Sequence, residues 1–383
     1  MRKKLWITML VLAMIFAVAL TGCGGGQEES DEIVIGAVFG MTGDIATFGQ
    51  SSKEAIEMRV KEVNESGGVL GRQVRVVFED NKSLATETAL AVEKLIEQDE
   101  VVAIIGAIAS TNTLAGAPIA QDAGVPMISG TSTAESVTEV GDYIFRACFI
   151  DPFQGRVAAQ FALQNLEAKT AAVLTDVGSD YSMGLRDVFV ENFTAGGGKV
   201  VQTSEFVVQD TDFNAVLTNV KAQNPDVVYV PAYYNSVGLI LAQAADLGID
   251  ATFIGTDGWD SPTLFELAGD AANGHFFTNH YSPDADVPEV QDFIAAYGAA
   301  YNGKTPDALA ALGYDAFNMT LDAITRAGST DGEAIRDALA ETAGFVGVCG
   351  TITMDEKRNP IKSAVMIEIK DQKQVYNATV SPE

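Results

Sequence analysis

The chain has 383 residues, 47% of them hydrophobic and 20% charged, with 36 Gly against 11 Pro. That length exceeds what one hydrophobic core organises and sets an expectation of two domains, and the composition excludes disordered, collagen-like and coiled-coil chains. With 24 Lys and Arg against 52 Asp and Glu the formal charge is −28, which repels a nucleic-acid backbone or an anionic membrane surface, so no nucleic acid is expected as a partner.

Arg2, Lys3 and Lys4 precede an apolar run from Leu5 to Leu20, too short for a membrane span and of the length of a signal-peptide core. The run closes on Leu20-Thr21-Gly22-Cys23, followed by Gly24-Gly25-Gly26 and a polar stretch to Glu32. A thiol directly after small residues at an export cleavage point resembles the bacterial lipobox. The resemblance implies removal of residues 1–22, lipidation of Cys23 and a flexible tether over 23–32. The expected location is extracytoplasmic, on the outer face of the bacterial membrane, with membrane contact only through that anchor. Outside the cytoplasm the remaining pair, Cys148 and Cys349, permits a disulfide, while two buried thiols are as ordinary in a chain of this size. His275 and His280 have no ligand spacing of a metal site around them and read as structural; no metal and no cofactor is expected.

Past the tether, short β-rich runs alternate with longer amphipathic ones: Ile33 to Phe39 then Ser51 to Asn64, Gln73 to Glu79 then Ala85 to Gln98, Val101 to Ile105 then Thr113 to Asp122, and Val125 to Ile128. This is the βαβ rhythm of a parallel sheet covered on both faces. After a break at Arg146 to Pro152 the rhythm restarts. Strands are predicted over Thr170 to Leu174, Lys199 to Val207, Val227 to Val230 and Ala251 to Ile254, with helices from Met183, Phe213 and Val237. From Val290 to Leu339 the pattern is mostly helical. Three strand-like runs close the chain: Gly347 to Met354, Ala364 to Ile369 and Gln374 to Thr379. The fold class is α/β, with two doubly wound parallel-sheet units.

In open α/β sheets ligands bind beyond the carboxyl ends of the strands. Three loops of the first unit, Gly40 to Gly49, Ala107 to Thr113 and Ser129 to Thr133, are rich in Gly and hydroxyls and open onto one sheet edge. Hydroxyls and free N–H groups at helix starts suit a small anion such as a carboxylate. Ser132 and Glu135 also have capping-box spacing, and Ser110 or Thr111 could serve as an N-cap. The second unit offers Tyr181, Tyr233 and Asp257 on its matching edge. A carboxylate there can pair with a ligand cation and rings can close over an apolar group, although Asp257-Gly258 is also an ordinary turn dipeptide. No nucleophile elbow, P-loop, dinucleotide fingerprint or HExxH motif is present, so no enzymatic activity is expected.

Several segments together resemble the substrate-binding proteins of branched-chain amino acid ABC transporters. They are the lipobox, Ile35-Gly36-Ala37 to Gly43, Gly106 to Thr113, Ser129 to Thr133, Phe145-Arg146 to Gly155, and Gly350 to Asp355. The resemblance implies a type I periplasmic-binding-protein fold of two lobes joined by three crossover strands. Lobe 1 would comprise 33–146 plus about 279–347 and lobe 2 147–278 plus about 348–383. It places carboxylate-binding hydroxyls at Ser110 and Thr133, with Ala109, Thr131 and Ser132 beside them, and the acidic partner of a ligand ammonium at Asp257. Tyr181 and Tyr233 become closing rings, and Phe48, Ile108 and Tyr314 the wall around the ligand side chain. Phe48 stands where Tyr is common and Thr131 where Ala is common, which leaves the ligand open among amino acids, amides, urea and aromatic acids. The two cysteines fall on the first and third crossovers, where the resemblance allows a hinge disulfide. The implied protein is a monomer that hands an aliphatic amino acid to permease subunits. The rivals are a ligand sensor on the same fold and a small-amide hydrolase.

Overall fold

The protein's computed structural model describes residues 32–381. The export leader, Cys23 and almost all of the tether lie outside the described residues.

Strand β1 (Glu32–Phe39) buries Ile33, Ile35, Ala37 and Val38 completely. Side chains on both faces are therefore covered, as in the centre of a doubly wound sheet. It lies inside a sheet ordered β2-β1-β3-β4-β5, where β2 is Gln73–Asp80, β3 Ala103–Gly106, β4 Met127–Ser129 and β5 Ile144–Arg146. The register is parallel, with Ile35 opposite Ala103, Ile104 opposite Met127, and Met127 opposite Ile144. Helices α1 (Ala46–Glu65), α2 (Ala85–Glu97), α3 (Ser110–Ala123) and the one-turn α4 (Ser136–Glu139) connect these strands. Gly106, which ends β3, has φ +133°, and a Cβ there would stand 2.3 Å from the Val38 carbonyl oxygen. Only glycine lets the chain leave the sheet so close to β1.

The second unit opens with α5 (Asp151–Gln164). It continues through β6 (Thr170–Asp176), α6 (Asp180–Ala195), β7 (Lys199–Phe206), α7 (Asn214–Gln223), β8 (Val227–Tyr229), α8 (Tyr234–Asp246), β9 (Thr252–Gly255), α9 (Pro262–Ala268) and β10 (Phe276–Asn279). Helices α10 (Pro288–Ala300), α11 (Ala308–Ala327) and α12 (Gly332–Ala340) follow, then β11 (Phe345–Gly347), β12 (Gly350–Ile352), β13 (Ala364–Lys370) and β14 (Lys373–Val380). The second sheet runs β14-β13-β10-β9-β8-β6-β7. Pairs among β6 to β10 are parallel, whereas β13 runs antiparallel to both β10 and β14.

Helix α11 packs on α1, β3 and β4, so the late helices cover the first sheet, while β13 and β14 extend the second. The chain thus passes from one sheet's layer to the other three times: after β5, after β10, and between β12 and β13. The largest apolar cluster is continuous across that divide, from Ile35 and Phe145 through Phe48 and Tyr234 to Val230 and Phe277. Residues 33–381 belong to one compact unit. Among the described residues no helix is long and apolar enough to cross a membrane.

The predicted strand from Gly347 to Met354 is instead half of a separate two-stranded hairpin, β11 with β12. Strands β5 and β10 were not predicted. Pairing with β4 defines the first, and pairing with β9 and β13 the second. The helix predicted from Met183 starts three residues earlier, because Ser179 Oγ caps it by accepting from Ser182 N at 3.2 Å.

Candidate functional site

The carboxyl ends of β1, β3 and β4 face those of β6, β8 and β9 across a narrow gap. Phe48, Ile108, Thr131 and Leu309 line it from the first sheet's side, and Tyr181, Tyr233, Asp257 and Gly258 from the second. Polar contacts seal its margins. Thr111 Oγ1 donates to Asp180 Oδ2 at 2.8 Å and accepts from Asp180 N at 3.1 Å. Thr47 Oγ1 lies 3.0 Å from Ser261 Oγ. The Phe48 ring meets Tyr234 and Tyr233 edge-on at 4.9 and 6.3 Å between centroids. The two sides are therefore closed on each other.

On the first side, most of the predicted hydroxyls hold the loops together. Ser132 Oγ lies 2.6 Å from Thr113 Oγ1, Thr131 Oγ1 donates to Ile108 O at 2.8 Å, and Ser110 Oγ accepts from Ala134 N at 3.2 Å. The buried Arg146 fixes the same turn by donating to the carbonyls of Ser132 and Ala134, each at 2.8 Å. Ser110, Ser132, Thr133 and Ala109 are buried beside the gap and do not line it. Thr133 differs from its neighbours in that its Oγ1 is buried without a hydrogen bond of normal length. The buried Asp151 carboxyl is the polar group beside it.

On the second side Asp257 is 4% exposed. Its Oδ1 accepts from Tyr181 OH at 2.6 Å and from Gln154 Nε2 at 2.7 Å, and its Oδ2 lies 3.1 Å from His280 Nε2. Burial pushes this carboxyl up, but hydrogen bonds from His280, Tyr181 and Gln154 outweigh it and leave it below the ordinary carboxylate value. Asp257 is thus an ionised acid in a dry cleft. A second acid, Asp151, has no hydrogen bond to either oxygen, and burial drives it well above the ordinary value. The surroundings in this way push two buried carboxyls in opposite directions. Tyr181 OH also accepts from Thr256 Oγ1 at 2.5 Å, and its ring stacks on Tyr233 at 5.1 Å between centroids, with 9° between ring planes. Burial raises both phenols well above their ordinary value, so both remain protonated. A Cβ at Gly258 would stand 2.9 Å from the Ala232 carbonyl oxygen and 3.1 Å from Tyr181 OH, so the absence of a side chain there admits the rings.

Three expectations need correction, and one residue was missed. Tyr314 does not line the gap. It stands on the outer side of α11, against Phe293 at 5.0 Å between centroids and under the Arg59 guanidinium at 5.9 Å. Leu309, five residues earlier, supplies the wall. Cys148 and Cys349 sit in one apolar cluster as free thiols in place of a disulfide; burial pushes Cys148 up to about 12 and Cys349 well above the ordinary thiol value. His280 is not incidental, since it touches Asp257. Gln154, which also touches Asp257, was missed altogether: it lies 103 residues away in sequence, and only the start of α5 brings it near.

A surface groove between α1, α10, α11 and β11 includes Tyr314. It is open and holds none of the unpartnered buried polar atoms found among the described residues, whereas Thr133, Asp151 and Gln154 bring several to the cleft. Among the described residues no group of three His, Cys, Asp or Glu is placed to hold a metal ion.

Comparison with known proteins agrees with this geometry. The family model described as periplasmic binding protein matches residues 32–374. The Leu/Ile/Val-binding protein BraC3 of Rhizobium johnstonii is 31% identical over 328 residues, covering 85% of this chain and 88% of that protein. Among solved structures, the leucine-binding protein LivK of Thermotoga maritima is 42% identical with a TM-score of 0.87, covering 91% of this chain and 99% of its own. The branched-chain amino acid transporter substrate-binding protein LivJ of Streptococcus pneumoniae, in complex with isoleucine, is 34% identical with a TM-score of 0.88, covering 92% and 100%.

Proposed function

Because this chain belongs to the periplasmic binding protein family and has its type I α/β fold, we propose that it captures a branched-chain or other aliphatic amino acid between its two lobes. The closed form is then presented to the permease of an ABC transporter, and no bond is made or broken. One lobe comprises 33–146 with about 279–347 and the other 147–278 with about 348–383; they swing about the three crossovers. The protein works outside the cytoplasm as a monomer, tethered through a lipid on Cys23.

The observation that carries this reading is the ionised Asp257 at one end of a cleft whose other wall is apolar, made by Phe48, Ile108 and Leu309. A buried anion attracts an ammonium, and the apolar wall takes an aliphatic side chain. The hydroxyls of Ser110 and Thr133, buried beside the gap, receive the carboxylate. An aromatic acid without an ammonium would leave Asp257 uncompensated.

Calorimetry with leucine, isoleucine and valine tests the proposal. The natural protein should bind at least one of them. Asp257→Asn should weaken that binding by about 2 kcal/mol or more, roughly thirtyfold, since one partner of a desolvated charge pair is lost. Equal affinity in the two proteins would overturn the assignment.

A further inference from the structure

The reading above depends on a carboxylate that stays ionised while buried, and His280 backs that carboxylate. Its Nε2 is 3.1 Å from Asp257 Oδ2. The ring is clamped by Phe149, with centroids 3.7 Å apart and 19° between planes, and its backbone N–H donates to Asn279 Oδ1 at 2.8 Å. His280 is 3% exposed, and its Nδ1 is buried with no hydrogen-bond partner. A neutral imidazole carries one N–H. With a carboxylate oxygen at Nε2 and no acceptor at Nδ1, the network assigns the hydrogen to Nε2.

We propose that His280 is a positioning residue for ligand recognition: as a neutral Nε2–H donor it orients Asp257 and keeps it an anion facing the guest. This deepens the proposed amino-acid capture and rests on it. Burial is the main force holding the imidazole below its ordinary value, and the buried Lys362, whose Nζ donates to Ala147 O at 3.2 Å, works in the same direction against the pull of Asp257. Around Asp257 the other titratable groups are Tyr181, Tyr229 and Tyr233, the buried acids Asp151 and Asp260, and the Cys148 thiol. None of these offers a hydrogen bond to Oδ2. If the His280 N–H is removed, Oδ1 keeps Tyr181 and Gln154, Oδ2 is left bare, and desolvation moves the ionisation of Asp257 upward. A protonated Asp257 no longer attracts an ammonium.

The test compares the natural protein with His280→Phe, which keeps a ring against Phe149 but has no donor, and His280→Gln, which keeps an N–H. Leucine affinity is measured by calorimetry from pH 5 to pH 8. His280→Phe should lose affinity on acidification from a higher pH than the natural protein, by about tenfold per pH unit below its midpoint. His280→Gln should restore the natural profile. A His280→Phe curve parallel to the natural one, weaker by the same factor at every pH, would mean a merely structural role and overturn the proposal. Two ligand-free readouts on the natural protein decide the matter independently. Nitrogen NMR of the imidazole should show Nε2 protonated and Nδ1 bare at pH 7, and the opposite tautomer or an imidazolium overturns the inference even if His280→Phe does not fold. Carbon NMR of the Asp257 carboxyl, assigned with Asp257→Asn, should show it ionised at pH 7. If leucine does not bind the natural protein, the capture reading falls, while these two signals still decide what His280 does to Asp257.

Discussion

Closure is held at the rim by groups that touch no guest, and Thr111→Val isolates one of them. The Thr111 hydroxyl donates to Asp180 Oδ2 at 2.8 Å and accepts from Asp180 N at 3.1 Å, and Asp180 belongs to the opposite side of the cleft. Valine fills the same volume, so α3 and its packing are preserved while both bonds disappear. A hydrogen bond to a charged group is worth about 1.5–3 kcal/mol and a neutral one about 0.5–1.5. Asp180 is only part-buried, and water replaces its lost partners when the cleft opens, so the net penalty on the closed state is about 1–2 kcal/mol. If the unliganded protein is mainly open, that penalty passes directly into affinity and leucine binding weakens by roughly tenfold. Thr47→Val removes one neutral contact, to Ser261 Oγ at 3.0 Å, and should weaken binding by only a few-fold. Calorimetry gives the affinities, and small-angle X-ray scattering gives the radius of gyration with and without leucine. Melting temperatures without leucine should barely change, because neither bond lies within a lobe. The reasoning fails if Thr111→Val binds leucine as the natural protein does with an unaltered radius, or if Thr47→Val is the more damaging of the two.

Other consequences concern the groups around the crossovers. Cys148 and Cys349 are buried, and burial pushes Cys148 up to about 12; only a thiolate reacts. Iodoacetamide at pH 8 should therefore leave both unmodified in the folded protein and label both once it is denatured, and prompt labelling of the native state would contradict their placement. Asp307 caps α11 through a 2.8 Å bond from Ala310 N and accepts from Ser51 Oγ at 2.8 Å. Burial and the neighbouring Asp260 push it up to about 7. Its folded value lies above its unfolded one, so its contribution to stability is complete below about pH 4 and is lost as pH rises through about 7. In Asp307→Asn, which keeps an acceptor at the cap, the melting temperature should fall less between pH 5 and pH 8 than in the natural protein; identical slopes would remove Asp307 as the source.

The sequence revealed the architecture wherever a strand was long enough to show its own pattern, as in β1, β2, β6 and β7. It also revealed the loops where Thr131, Tyr181, Tyr233 and Asp257 gather, because the carboxyl ends of parallel strands share one edge. The phase of α11 could not be read. Leu309 and Tyr314 both sit in a helix with 14 buried residues, and which of two bulky residues faces the cleft depends on how that helix lies on β3 and β4. His280 and Gln154 were hidden for a different reason. Each meets Asp257 through tertiary contact alone, from the end of a four-residue strand and the first turn of α5, and an isolated His or Gln carries no local signature of such a meeting. The hydroxyl-rich loops misled in one respect: Ser132, Thr113 and Thr131 brace one loop against the next and cap no helix.

The division of the site between lobes has an energetic consequence for selectivity. Under the proposed reading, the open form holds a carboxylate from any small acid at Ser110 and Thr133, because a part-hydrated anion at a helix start needs no second partner. Closure then brings up Asp257, an ionised group that is already desolvated and already has three donors. A guest with an ammonium supplies the countercharge, and Coulomb attraction in the dry cleft favours the closed state. A guest without one gains little from Asp257 and adds a second negative charge to a space bounded by a carboxylate, so its closed state is disfavoured by like-charge repulsion as well as by the missing bond. Discrimination therefore arises mainly at closure. Amino acids and their deaminated analogues should differ little in their contact with the open lobe and widely in their power to close it, which comparison of leucine with 4-methylpentanoic acid by scattering and calorimetry would measure directly; equal compaction by the two would place selectivity in the first lobe instead.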